Sequence, residues 1–130
     1  MKKYLGIDFG SKRVGIATSD DFGTMAFPYS VISNDKNLLE EIEKIIKIEN
    51  ITDIVIGESK NFAGEPNKIM VEIEKFKNIL VRKTELNVFL EPEFMTSSQA
   101  EQIQGKNDMH DASAATIILQ SFLDKKSSVI

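Results

Sequence analysis

Tyr4-Leu5-Gly6-Ile7-Asp8-Phe9-Gly10-Ser11-Lys12-Arg13-Val14-Gly15-Ile16-Ala17-Thr18 is the stretch whose reading decides the fold. Tyr4 to Asp8 reads as a buried strand and Phe9 to Lys12 as a turn. The alternating run from Val14 to Thr18 reads as the partner strand, so the chain opens with an antiparallel hairpin. A second turn, Asp20-Asp21-Phe22-Gly23, leads into a third strand through Met25, Phe27 and Tyr29 to Val31. Pro28 favours an edge position for that strand, because proline has no N–H to give to a ladder.

Beyond this meander the hydrophobic period changes from two to that of a helix. Asn34 or Asp35 can cap a helix whose apolar positions Leu38, Leu39, Ile42, Ile45 and Ile46 share one face, ending near Asn50. Asp53-Ile54-Val55-Ile56-Gly57 is a short β-branched run of the kind buried on both faces of a parallel sheet, and it should lie beside strand one. Pro66 suits a first helical turn, and Ile69, Met70, Ile73, Phe76, Ile79 and Leu80 supply a stripe to about Lys83. Val88-Phe89-Leu90 is a fifth strand stopped by Pro92. Thr96 to Gln104 predicts a short helix, and Asp108 begins a last one with Ala114, Ala115, Ile118, Leu119 and Phe122 inward and a frayed tail after Lys125. The order βββαβαβαα predicts an α/β fold, a five-stranded mixed sheet with helices on both faces. No repeat or linker divides the chain, so residues 1–130 read as a single domain.

With 130 residues the chain can bury a core without staples, and it has no cysteine, which removes disulfides and thiolate metal sites. Any metal must then be held by carboxylates or the lone histidine. No run approaches the roughly 18 apolar residues of a membrane helix. A soluble, cytoplasmic protein with no membrane partner is expected. The formal charge of −4 argues against a passive nucleic-acid coat, which needs a concentrated basic face. It leaves room for a nuclease whose acids become attractive to phosphate once loaded with cations.

In such a sheet, functional groups gather where the parallel strands end. Asp8 closes strand one, Glu58 follows strand four, Glu93 follows strand five, and Asp108 and Asp111 sit three apart in the first turn of the last helix. Oxygen donors from separate elements suit two Mg²⁺ or Mn²⁺ ions about 4 Å apart, the arrangement that serves phosphodiester hydrolysis. Each acid also has a plain structural role. Loop glutamates are usually solvated, Asp108 is a good helix cap, and a first-turn acid such as Asp111 favours the helix dipole. Lys12 and Arg13 beside Asp8 could steer a phosphate backbone, with Lys60 a weaker candidate.

Gly6-Ile7-Asp8-Phe9-Gly10-Ser11-Lys12-Arg13-Val14-Gly15-Ile16-Ala17 resembles the opening motif of the YqgF family of pre-16S rRNA nucleases and Holliday junction resolvase-like proteins. Val55-Ile56-Gly57 with Asn61 and Gly64 is similar to its second block, Met95-Thr96-Ser97 with Ala100 to the segment after its Asp-Glu-Arg motif, and Asp111-Ala112-Ser113-Ala114-Ala115 to its last block. The resemblance implies an RNase H-like fold and active-site roles for Asp8 and Asp111. Two departures stand out. Pro92-Glu93-Phe94 replaces Asp-Glu-Arg, keeping only the glutamate, and Glu58-Ser59 replaces Leu-Pro after the second-block glycine. Glu58, and the pair Asp108 and Asp111, resemble acids of the RuvC resolvases, so Glu58 and Glu93 compete for the central ligand position.

The leading expectation is a metal-dependent endonuclease that processes the 5′ end of pre-16S rRNA, with ribosomal particles as a further partner class. A resolvase acting on branched DNA and a catalytically silent nucleic-acid or ribosome-binding module are the alternatives. A trimming RNase could work as a monomer, whereas a junction resolvase is expected to be a symmetric homodimer. An actin-like or sugar-kinase ATPase is a third class, because Asp8-Phe9-Gly10-Ser11 resembles its phosphate loop, but those folds use two such domains.

Overall fold

The computed structural model describes residues 2–58, 68–92 and 110–128. They form β1 (Tyr4–Phe9), β2 (Arg13–Ser19), β3 (Ala26–Ser33), α1 (Leu38–Glu49), β4 (Asp53–Glu58), α2 (Lys68–Thr84), β5 (Asn87–Pro92) and α3 (His110–Ser128). The strands make one sheet in the order β3-β2-β1-β4-β5, antiparallel over its first three strands and parallel over its last three. This is the expected mixed sheet, with β4 directly beside β1. The short helix expected at Thr96 to Gln104, the Pro66 helix start and the Asp108 helix start lie outside the described residues.

Alternation along the strands divides the core in two. Leu5 and Ile7 of β1, Val14 and Ile16 of β2, and Ile54 and Ile56 of β4 pack against Leu38, Ile42 and Ile45 of α1 and Met70, Ile73, Phe76 and Leu80 of α2. The intervening Tyr4, Ala17 and Val55, with Ala26 of β3, pack against Ala115, Ile118, Leu119 and Leu123 of α3. Helices thus cover both faces.

Three local differences from the sequence reading have physical causes. In β3 Ala26 is buried and Ile32 packs against the core, whereas Phe27 and Tyr29, and Met25 just before the strand, are exposed. The register shifts between Ile16 and Ala17, which pair with Ser30 and Pro28, so Tyr29 is the extra residue of a bulge at the edge. Helix α1 starts at Leu38 with Asn37 at the cap position and no side-chain cap bond, because Asn34 is engaged elsewhere and Asp35 accepts from the Asn37 N–H at 2.9 Å. Its end falls at Asn50, in the left-handed region at φ 56°. The tail expected to fray after Lys125 is helical as far as Ser128, and the remainder lies outside the described residues. The last turns of α3 are tied down by Lys125 on Glu91 at 2.6 Å and by Lys126 over the Tyr4 ring at 5.6 Å. No described helix is long and apolar enough to cross a membrane.

Candidate active site

The position of Asp8 follows from how closely α3 lies on β1. A side chain at Gly6 would put its Cβ 2.8 Å from Leu119 Cβ and 3.2 Å from the Ala115 carbonyl, so only glycine lets the helix settle there. Tyr4 meets Phe122, with ring centroids 5.7 Å apart, and Lys126. Moving up β1 from Tyr4 to Gly6 therefore moves back along α3 from Phe122 to Leu119 and Ala115. The next residue on that face is Asp8, about 7 Å further along the strand, and one turn back from Ala115, about 6 Å, is Asp111. Strand and helix advance in step, in opposite chain directions.

The same pleat separates Asp8 from Glu58. Ile7 pairs with Ile56, and both belong to the α1 and α2 side. One residue further, Asp8 stands beside Gly57 on the α3 side, and alternation carries Glu58 toward the side of Ile54 and Ile56. Phe9, next to Glu58 in that row, stacks on Phe76 of α2 with centroids 5.1 Å apart. Adjacency of β4 and β1 holds, but the residue of β4 that shares the Asp8 face is Gly57. Both acids are only partly buried.

The turn after β1 brings cations to the same end. The Gly10 N–H donates to the Arg13 carbonyl at 3.1 Å, and a Cβ at Gly10 would lie 2.5 Å from that oxygen. The turn is tight because Gly10 permits it, and it leaves Ser11, Lys12 and Arg13 exposed.

Of the other proposed site residues, Asp111 lies in the first turn of α3, whereas Glu93, Asp108 and Lys60 fall outside the described residues. Among the described residues no group of three or more His, Asp or Glu side chains is gathered to hold a metal ion. Sequence reasoning missed Glu91. It pairs in register with Gly57, is buried, and accepts from Ser121 Oγ at 2.9 Å and Lys125 Nζ at 2.6 Å. The four-residue spacing of Ser121 and Lys125 was the available signal, since it puts two donors on one helix face. Ser113, also on α3, is buried, and its hydroxyl has no hydrogen-bond partner among the described residues.

Two groups with displaced pKa values lie toward the opposite end of the sheet. Bonds from the Thr24 hydroxyl and N–H hold Asp20 below the usual aspartate value. Partial desolvation, with the Glu49 carboxylate to which its hydroxyl donates, pushes Tyr29 up.

The family model RuvX, described as Holliday junction resolvase, matches residues 2–125. A Sulfurihydrogenibium protein named "Putative pre-16S rRNA nuclease" is 37% identical over 98% of this chain and 93% of its own length. One of the same name from Carboxydothermus hydrogenoformans is 33% identical over 96% of this chain and 98% of its own. Among solved structures, T. thermophilus RuvC in complex with a Holliday junction substrate aligns with a TM-score of 0.64 at 11% identity, covering 98% of this chain and 96% of that one. Fowlpox virus resolvase with its Holliday junction DNA aligns at 0.62 and 12%, covering 95% and 98%. At these identities the likeness to the two structures is one of fold.

Proposed function

Because this chain belongs to the RuvX family of Holliday junction resolvases, we propose that it is a nuclease hydrolysing phosphodiester bonds in structured nucleic acid with the help of Mg²⁺ or Mn²⁺. The observation that carries the proposal is the close seating of α3 on Gly6, which supports a reading in which Asp8 and the start of α3 serve one site.

The donor set fits a hard divalent cation, being all carboxylate oxygen on a chain without cysteine. Asp8 and Asp111 would hold it with Glu93 or Glu58, and Asp108 would assist. Two ions are proposed. When bound, divalent cations stabilise charge on the phosphoryl oxygens and lower the pKa of an attacking water. Asp8 contributes a carboxylate that β1 aims at the α3 side. Lys12 and Arg13 bind backbone phosphates and bring the strand to be cut alongside it, with Lys60 adding a further cation. The pleat favours Glu93 over Glu58 as the third ligand, since alternation turns Glu58 toward α1 and α2.

The name carried by the relatives points to precursor 16S rRNA as substrate, which would make ribosomal particles a partner and the cytoplasm the place of action. The family description and the fold of RuvC favour branched DNA as the second reading.

A cleavage panel of precursor 16S rRNA, a four-way DNA junction and linear controls, with Mg²⁺ or Mn²⁺, separates the two. Cutting of the rRNA with the junction intact is expected, and the reverse would assign DNA. Asp8→Asn should abolish cleavage with an unchanged melting temperature, because it removes a negative ligand at nearly constant volume. Glu93→Gln should weaken cation binding and cleavage together, whereas Glu58→Gln should leave cation binding intact. The opposite pattern gives the ligand role to Glu58. Cation binding without cleavage of any substrate would replace the nuclease by a silent binding module.

A further inference from the structure

Asn34, just past the end of β3, is bonded twice to the β1–β2 turn. Its backbone N–H donates to the Lys12 carbonyl at 2.9 Å, and its side-chain Nδ2–H donates to the Gly10 carbonyl at 2.7 Å. With the Gly10 N–H on the Arg13 carbonyl, three of the turn's carbonyls are engaged within the fold. What the turn presents outward is the Ser11 hydroxyl and the Lys12 cation, donors suited to phosphate. An asparagine that could have capped α1 instead fixes the backbone on which that cation stands.

We propose that Asn34 is a positioning residue for nucleic-acid binding, holding the Gly10–Arg13 turn so that Lys12 meets a backbone phosphate beside Asp8. The inference rests on the nuclease reading and deepens it. It concerns binding rather than hydrolysis, since Asp8 is held independently by its pairing with Gly15. Without the Nδ2 bond the turn keeps the Asn34 N–H on the Lys12 carbonyl but loses its second tie at Gly10, while Asp8 keeps its place in the ladder.

Titration of a labelled four-way junction and of a labelled precursor 16S rRNA fragment over a range of salt concentrations tests this, using the full chain. Asn34→Ala should weaken binding of the cognate probe by about threefold to tenfold, the scale of one lost hydrogen bond. The slope of log K against log salt should shrink by about 0.7 to 0.9, the share of one phosphate contact. A role limited to stability would lower the melting temperature and leave that slope alone. In a Lys12→Ala background the same substitution should have little further effect on binding, because the contact it supports is already gone. Mn²⁺ affinity should match that of the parent. If Asn34→Ala melts below the assay temperature, Asn34→Thr, whose hydroxyl is too short to span to Gly10, takes its place. Parent-like binding and slope, or losses from Asn34→Ala and Lys12→Ala that simply add, overturn the positioning role and leave the nuclease reading standing. A parent chain that neither binds nor cuts either probe overturns both.

Discussion

The two faces of the sheet are built from different materials. Against α1 and α2 the strands present large aliphatic side chains, Leu5, Ile7, Val14, Ile16, Ile54 and Ile56. Against α3 the strands present Gly6, Ala17, Ala26 and Val55, with Tyr4 and Phe89 the large ones, both meeting Phe122, and the helix sets the small Ala115 over Gly6 among Ile118, Leu119 and Leu123. Bulky residues fill a layer of ordinary thickness, whereas small ones let a helix backbone come down onto the strands. The α3 face is therefore the more sensitive to added volume, and it is the face Asp8 shares. It also carries the polar ties between layers. Gln120 accepts from the Ala26 N–H at 2.9 Å and donates to the Thr24 carbonyl at 3.1 Å, and Glu91 receives Ser121 and Lys125. One face supplies cohesion and the other supplies position.

Substitutions can break that division or sharpen it. The largest effect on stability is expected from Ile42→Ala, which leaves a cavity on the α1 side and should cost about 2 to 5 kcal/mol. Its cleavage per folded molecule should match the parent, and a fall in specific activity at full folding would show that the two faces are not separable. Next is Gly6→Ala. Its added methyl must displace Leu119 or the Ala115 backbone, at about 1 to 3 kcal/mol. Because the displaced element carries Asp111, activity should fall further than stability alone explains, as read by cleavage rate beside a denaturant melt. The smallest is Lys125→Ala, about 1 to 2 kcal/mol, since it leaves the buried Glu91 carboxylate with Ser121 as the remaining partner of the two. It should leave the cation affinity of the Asp8 end untouched.

The strands, the mixed sheet and the place of β4 beside β1 were legible in the sequence because periodicity and element order carry them, whereas the place of β5 and the face each helix covers were not. Leu5 and Ile7 falling on one side and Gly6 and Asp8 on the other needed no more than alternation. Asp8 was recognisable as a carboxylate ending an apolar run. The contest between Glu58 and Glu93 stays open in the sequence because strand adjacency alone does not say which layer a side chain faces, and one residue of offset turns it to the other layer. Glu91 was passed over because an acid at a strand end reads as solvated until the helix bearing Ser121 and Lys125 is seen above it. Asn34 was assigned to α1 because a capping residue binds locally, and its actual partners, Gly10 and Lys12, are more than twenty positions away. Side chains that act across long sequence separations leave little local trace.

The bulge at Tyr29 also governs how copies of the chain meet in a crowded solution. A flat outer strand offers a row of unsatisfied amides onto which another chain can zip, the route to fibrils. In β3 that row is interrupted. Pro28 has no amide hydrogen to offer, and the register shift beside it bends the edge out of true. Phe27 and Tyr29 can therefore sit exposed on the outermost strand without making it a template for aggregation.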